Sequence, residues 1–378
     1  MPIGGGWLAR NSIEKAKILF QKGEYKKALK ISTVLVQNHS DNYFLQNMHG
    51  YILLGLNNYK TSKKFFLNCI DLNKNFAEAH YLLGIANVNL NDLESALENF
   101  LSAIKLNPNL KDAHNKIISI LTSFKPKKNH KHPYVFVNYM VDKIKFNYNE
   151  DEFIEDYKIK NFFTKSIEIV DKYLKNLGSS DTQIFRQNSD NLNCDRHFKV
   201  FNTYNAIPEF CFGCFKIVIE LKNVLDLFKL YFVFDNLYLG LKNIRKVMIE
   251  TRDNVSGTYK GLIYCKNVNE VNLIKEKLNK LLSKNIGNNF SISTKRGCTE
   301  FAVKYPQYKK ISLNKSEMMK YNDTWKEKEK IIDNQIYNEN SEKGLIYPSL
   351  KGPKLSDILI MKNWLIYAKK INDNSFKI

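Results

Sequence analysis

The sequence predicts a chain of two architectures, an N-terminal α-solenoid followed by an α+β domain. Three observations predict it. The chain repeats itself at a period of 34 residues between Ala9 and Leu110; a polar, basic break (KPKKNHKHP) fills 125–133; and a β-rich texture begins at Phe210. With 378 residues, 44% of them hydrophobic, the chain can bury more than one core.

Aligning Ala9–Asn42, Tyr43–Phe76 and Ala77–Leu110 shows how each unit would pack. In the third, Leu83 and Gly84 stand where a first helix approaches its neighbour, and Ala96 where two helices cross. Phe100 and Ala103 form the ridge toward the next unit, and Pro108 ends the second helix. Shifting by 34 gives Gly50, Ser62, Phe66 and Cys69; shifting again gives Ala16, Ala28, Ser32 and Leu35. The turns Gly23-Glu24-Tyr25, Asn57-Asn58-Tyr59 and Asn91-Asp92-Leu93 recur at the same interval. This phased set resembles the tetratricopeptide repeat family over residues 9–124, with Asp112–Phe124 as a capping helix, because each repeat buries its face only against a neighbour. Ser12, Gln46 and His80 depart from the family's usual aromatic, and only the third unit has the closing proline.

The resemblance implies a concave surface that docks a protein or peptide partner, or the chain's own later domain. The first helices would offer Lys17, Phe20, Asn47, Tyr51, Leu54, Tyr81, Ile85 and Val88 to it. Ile13 and Lys17 do not reproduce the Lys and Asn with which family members clamp a C-terminal carboxylate, so no clamp is expected.

After the linker 125–133, residues 134–178 read as a helical connector, with helices over Tyr134–Lys145 and Asn161–Leu177, the latter closed by Gly178. His130 and His132 alternate in a Lys-rich loop, as solvent-exposed residues do, and Glu150–Asp156 suits a turn or helix start. Residues 185–310 form the α+β domain. Its strands are expected at Cys214–Leu221, Arg245–Thr251, Tyr259–Cys265 and Phe290–Gly297, and its helices at Val224–Asp235 and Val268–Lys284. In the second helix Val271, Ile274, Leu278, Leu281 and Leu282 share one face. The order β-α-β-β-α-β is that of a ferredoxin-like (split βαβ) domain. The tail, 311–378, carries helices near Lys326–Ile336 and Ser356–Ile371 around a loop at Gly344–Pro353, with Trp364 and Tyr367 packing on the core.

RNA-recognition modules share this topology and stack bases on aromatics of the two central strands. Lys260-Gly261 and Tyr264 partly fit, but Leu262 stands where an aromatic is required and Ile217-Val218-Ile219 supply none. Nucleic acid is therefore not the expected partner. The formal charge of +20 does not change this: residues 1–178 carry +8 and 179–378 carry +12, and only six of the 58 basic residues are Arg.

The strongest chemical signal is CDRH followed by PEFCFGC. Cys194 and His197, and Cys211 and Cys214, are two short-spaced pairs that suit a tetrahedral zinc site. In a split βαβ sheet the first strand lies between the third and fourth, which brings Cys265 and Cys298 to the same edge. A redox or nucleophilic thiol and plain burial remain as alternatives. Cys-Phe-Gly-Cys ahead of a strand, not opening a helix, argues against a thioredoxin-type pair. Arg186, Arg196, Arg245, Arg252 and Arg296 all follow residue 178, and Arg suits carboxylate or phosphate. Asp195, Glu209 and Glu300 are carboxylates near His197 in this reading.

Met1–Arg10 contains no apolar run of signal-peptide type. Val224–Leu241 is interrupted by Asp226, Lys229 and Asp235, Ile358–Tyr367 is too short to span a bilayer, and six irregularly spaced cysteines suggest no secreted framework. A cytoplasmic protein without a membrane span is expected. The leading functional expectation is an interaction adaptor whose α+β domain can hold a structural zinc. The alternative is an enzyme acting on an anionic substrate through His197, Arg196, Cys211 and Glu209, with the repeats recruiting the substrate; a third reading is RNA-associated binding.

Overall fold

The computed structural model describes residues 7–129, 131–144, 146, 148, 152–175, 177–186, 192–239, 243–311, 318–338 and 351–376. His130, Glu150, Asp151 and most of the Gly344–Pro353 loop lie outside the described residues. The chain divides into two compact units, with the boundary between His132 and Pro133.

The first unit consists of helices α1 (Trp7–Gln21), α2 (Tyr25–Asn38), α3 (Tyr43–Gly55), α4 (Tyr59–Leu72), α5 (Ala77–Asn89), α6 (Leu93–Leu106) and α7 (Lys111–Ser123), each packed on the next. The hairpin corners show why the phase is fixed. Gly23, Asn57 and Asn91, 34 residues apart, all take φ near +60° to +76°, where Gly and Asn pay the smallest steric cost. Asn58 and Asp92 then cap the following helices through their side chains. Inside the second and third hairpins a glycine admits an aromatic ring. A Cβ on Gly84 would stand 2.6 Å from the Phe100 ring, and one on Gly50 would stand 2.8 Å from Phe66.

The second unit is mixed α+β. It contains α8 (Pro133–Lys143), α9 (Asp156–Tyr173), β1 (Gln183–Arg186), α10 (Cys194–Tyr204), α11 (Glu209–Gly213) and β2 (Phe215–Leu221). It continues through α12 (Val224–Asn236), β3 (Arg245–Ile249), β4 (Tyr259–Cys265), α13 (Val268–Ile286), β5 (Phe290–Arg296), α14 (Trp325–Asn338) and α15 (Leu355–Lys370). The strands form one antiparallel sheet in the order β1-β3-β4-β2-β5. Ile217, Ile219, Val247, Ile249 and Ile263 are buried on the side where α12 and α13 pack. Gly261 permits that approach, because a Cβ there would lie 2.4 Å from Leu230.

Helix α12 contacts β2, β3 and β4, and also α9, α13 and α15. That explains its nearly unbroken apolar sequence without any membrane: it is buried all round. No described helix is long and apolar enough to cross a membrane. Its charges are accommodated individually. Lys229 pairs with Asp156 at 2.8 Å, Asp235 with Arg186 at 2.8 Å, and Asp226 accepts from Asn223 at 2.8 Å.

Several elements differ from the sequence reading. Helix α9 begins at Asp156 and ends at Tyr173, before Gly178. The stretch read as a connector (134–178) and the one read as a tail (311–378) both pack into the second unit: α15 lies against α8, α9 and α12, and α14 against α10. Trp364 is fully buried and Tyr367 half-buried. The edge strand β1 and the helices α10 and α11 were not foreseen. Cys194 and His197 thus sit one turn apart on a helix, and Cys211 lies inside a one-turn helix where only a strand entry was expected.

Candidate functional site

The helices cover one side of the sheet, and alternate side chains point to the other. Cross-strand pairing places Lys216 opposite Tyr264 and Lys295, Val218 opposite Leu262, Lys246 opposite Leu262 and Phe185, and Lys260 opposite Met248. A cleft of about 1100 Å³ opens over these residues. Val218, Met248 and Leu262 make its apolar floor, with Tyr264 packed against them. Around the floor stand Lys216, Lys246, Lys260 and Lys295, with Arg252, Glu250 and Glu300 on the lining as well.

The lysines are held close and partly dry. Burial lowers the pKa of Lys216, which Glu300 and Cys298 partly offset and Lys295 reinforces. Burial, then Lys216 and Arg252, lowers that of Lys246, whose ammonium also lies 3.1 Å from Gln183 Oε1 and over the Phe185 ring. Burial lowers that of Lys260 against the pull of Glu250, 3.8 Å away. Glu250 is already committed. Arg252 binds it through Nε and Nη2, both at 2.8 Å, and holds its carboxyl down to about 2. Among the described residues, neither Lys216 nor Lys246 has a carboxylate within ion-pair distance.

Cys194 and Cys298 line one end of this cleft. Cys194 lies beside Cys298 and His197, and Cys298 beside Cys211. Cys214 lies beside Gly297, whose N–H donates to the Cys214 carbonyl at 2.9 Å, and Phe215 pairs with Cys265. Five cysteines therefore gather at one edge of the sheet, and Cys69 is buried alone in the repeats. The surroundings of Cys194, Cys214, Cys265 and Cys298 push each of these thiols above the ordinary cysteine range. Cys194 pulls Cys298 down, but Cys211 and burial leave it at about 12; burial pushes Cys214 up to about 11. Among the described residues, no group of three or more His, Cys, Asp or Glu side chains is arranged to hold a metal ion. His197 is buried and stacks on Phe210 at 5.2 Å.

The arginines serve the fold. Arg196 grips Asp333 through Nε and Nη2, each at 2.8 Å, and also pairs with Glu329, whose other oxygen accepts from the Glu209 N–H at 2.9 Å. This clasp ties α10 and α11 to α14 and occupies the guanidinium; the Glu209 side chain is exposed. Arg296 is buried between the rings of Phe215 and Tyr308, at 4.9 and 5.1 Å, and donates to the Phe212 carbonyl at 2.6 Å. Sequence reasoning passed over the lysine face. Its signal was present as isolated charged residues in the otherwise apolar strands KIVIE, KVM and KGLIY.

In the first unit, Phe20 and Tyr51 come together at 4.6 Å between ring centroids, and Tyr51 is 40% exposed. Leu54, Tyr81, Ile85 and Val88 are half-buried, and Lys17 is exposed, 5.6 Å from the Phe44 ring. Asn47 differs from its expected place on the surface: it is 4% exposed, and its Oδ1 accepts no hydrogen bond.

Two tetratricopeptide repeat profiles match this segment, one over residues 45–76 and one over 77–110. The N-terminal segment is a tetratricopeptide repeat array. Similar solved structures include the first tetratricopeptide domain of Spaghetti (RPAP3) bound to an HSP90 peptide, at 23% identity, covering 30% of this chain and 89% of that one with a TM-score of 0.29. The human RPAP3 first domain (23% identity, 31% and 91% covered, TM-score 0.30) and the Yersinia enterocolitica type III secretion chaperone SycD with a YopD peptide (12%, 31% and 94%, TM-score 0.30) are similar over the same share. No curated protein matches the sequence. The tetratricopeptide array accounts for under a third of the chain.

Proposed function

We propose that this chain is a protein-interaction adaptor in which the tetratricopeptide array docks a protein or peptide segment with apolar side chains. The observation that carries the reading is the mixed aromatic and aliphatic face of the first helices, where Phe20, Tyr51, Leu54, Ile85 and Val88 stay partly exposed around one charged residue, Lys17. An exposed tyrosine beside aliphatics supplies large contact area at low entropic cost. The second unit is read as an elaborated ferredoxin-like domain. The order β3-β4-β2-β5, with α12 and α13 as its two crossovers, supports that reading, and β1 is an added edge strand.

A structural zinc at Cys194, His197, Cys211 and Cys214 is the finer part of this reading, although among the described residues no group of three or more such side chains is already arranged to hold a metal ion. Stoichiometric zinc in freshly purified protein would support it, and protein that purifies without metal would sink it. The enzyme alternative needs a free Arg196, which Asp333 and Glu329 occupy.

The test places a photo-crosslinking amino acid at Tyr51 of the full chain, identifies the captured partner, and measures its affinity for Tyr51→Ala and Ile85→Asp. The expected result is a loss of about tenfold or more for each, as for truncated interface anchors, with folding retained. Unchanged affinity in both variants would sink the reading.

A further inference from the structure

The adaptor reading leaves the lysine face of the second unit unused. This sheet face is not an ordinary solvated surface. Lys260 is buried, Lys216 and Lys246 are half-buried, and all three crowd over a floor of Val218, Met248 and Leu262. A face evolved only for solubility leaves its lysines extended into water, where mutual repulsion is screened. Among the described residues, cations outnumber carboxylates on the cleft lining by seven to two, and one of the two, Glu250, is taken by Arg252 and Lys260. The unmatched positive charge is thus concentrated at Lys216, Lys246 and Lys295, around the apolar floor.

We propose that this cleft binds a small phosphate ester with a planar apolar body, of the nucleotide class. Its phosphates lie among Lys216, Lys246 and Lys295, and its body lies over Val218, Met248 and Leu262. Charge complementarity selects the anion: several ammonium groups converging from adjacent strands match the multiple acceptor oxygens and the double charge of a phosphate better than a single carboxylate. The floor selects the body. A bare inorganic anion would leave the apolar strip wet, whereas a planar group covers it and gains from its removal from water. Phe185, 43% exposed on β1 beside Lys246, adds an aromatic edge at the rim. A single-stranded nucleic acid fits less well. Successive bases need successive aromatic platforms, and the two central strands offer Val218 and Leu262 at the paired central positions. The inference does not rest on the adaptor reading, since the cleft lies wholly within the second unit.

The experiment is calorimetric titration of the full chain at low salt with inorganic pyrophosphate, ADP, adenosine and a uridine dodecamer. Pyrophosphate probes the lysines alone, and ADP probes lysines and floor together. Pyrophosphate should bind, ADP more tightly, and adenosine far more weakly than ADP. Lys216→Gln and Lys246→Gln should each weaken ADP by about tenfold, the loss of one close charge contact. Lys216→Arg, which keeps the charge, should retain most of the affinity. Leu262→Asp should abolish the advantage of ADP over pyrophosphate, and each variant's thermal transition checks that it folds. No pyrophosphate or ADP binding at millimolar concentration overturns the proposal, as does ADP affinity that is indifferent to both Gln variants. A dodecamer that binds far more tightly than ADP and displaces it overturns the small-ligand assignment in favour of nucleic acid.

Discussion

The buried polar side chains of the tetratricopeptide array are Ser32, Gln46, Asn47, His49, Ser62 and Asn87, all of them neutral or, for His49, held neutral by burial. Those of the second unit include Arg186, Asp226, Lys229, Asp235, Arg245, Glu250, Lys260, Arg296, Lys354 and Asp357. The difference follows from how each unit closes. A repeat array needs contacts only between neighbours along the chain, and small-to-large packing such as Gly84 on Phe100 suffices. The second unit must join segments far apart in sequence, and it does so with ion pairs. Arg186 on β1 reaches Asp235 on α12 and Asp357 on α15, with the Tyr231 hydroxyl in the same network. Asp357 also accepts from the Lys354 N–H at 2.8 Å, and Asp235 from the Gly352 N–H at 3.0 Å.

The largest expected effect breaks that network. Arg186→Met leaves Asp235 and Asp357 buried without their cation and should cost about 3–5 kcal/mol in chemical unfolding of the second unit. In the array the corresponding lesion is steric. Gly84→Val would drive a side chain into Phe100 and should cost about 1–3 kcal/mol, the usual range for overpacking.

A smaller effect separates the units by pH. Burial raises Asp226 to about 6 from an ordinary value of 3.8, against the pull of Lys229 and Asn223 and with Asp156 and Asp373 nearby. The folded pKa lies above the unfolded one, so the fold prefers the protonated acid. The cost of ionisation is fully present above pH 6 and is relieved as pH falls from about 6 toward 4. Asp226→Asn, whose side-chain carbonyl can still accept from Asn223, should raise stability at pH 7 by about 1–2 kcal/mol and flatten this part of the pH profile. The smallest effect on stability is at the groove. Tyr51→Ala loses one ring contact with Phe20 and should cost about 1 kcal/mol or less while weakening partner capture.

The same contrast explains what could be read from the sequence. The array was legible because its information is local and repeated: the left-handed corners at Gly23, Asn57 and Asn91 and the Gly–Phe contacts recur in phase. In the second unit the strongly periodic elements were legible as well, including the buried face of α13 and the strand Tyr259–Cys265. Three things were not. The four residues of β1 gain their strand character only from pairing with β3. The CDRH segment carries ligand-type residues on an ordinary amphipathic helix, with His197 and Val200 buried. The arginines were expected near a site, but Arg186 finds its carboxylate 171 residues away, a partnership no local pattern encodes. The lysine face was hidden for the opposite reason, because a lysine-rich composition makes four functional-looking lysines resemble background.

The central claim is that buried charge coupling, which the described residues of the array lack, holds the second unit together. A double-mutant cycle on Arg186→Met and Asp357→Asn in the full chain tests it most directly, with unfolding followed through Trp364, which is buried beside Phe228. The expected coupling is about 2–3 kcal/mol, with the double variant more stable than the sum of the single losses allows. Losses that add to within about 0.5 kcal/mol would contradict it.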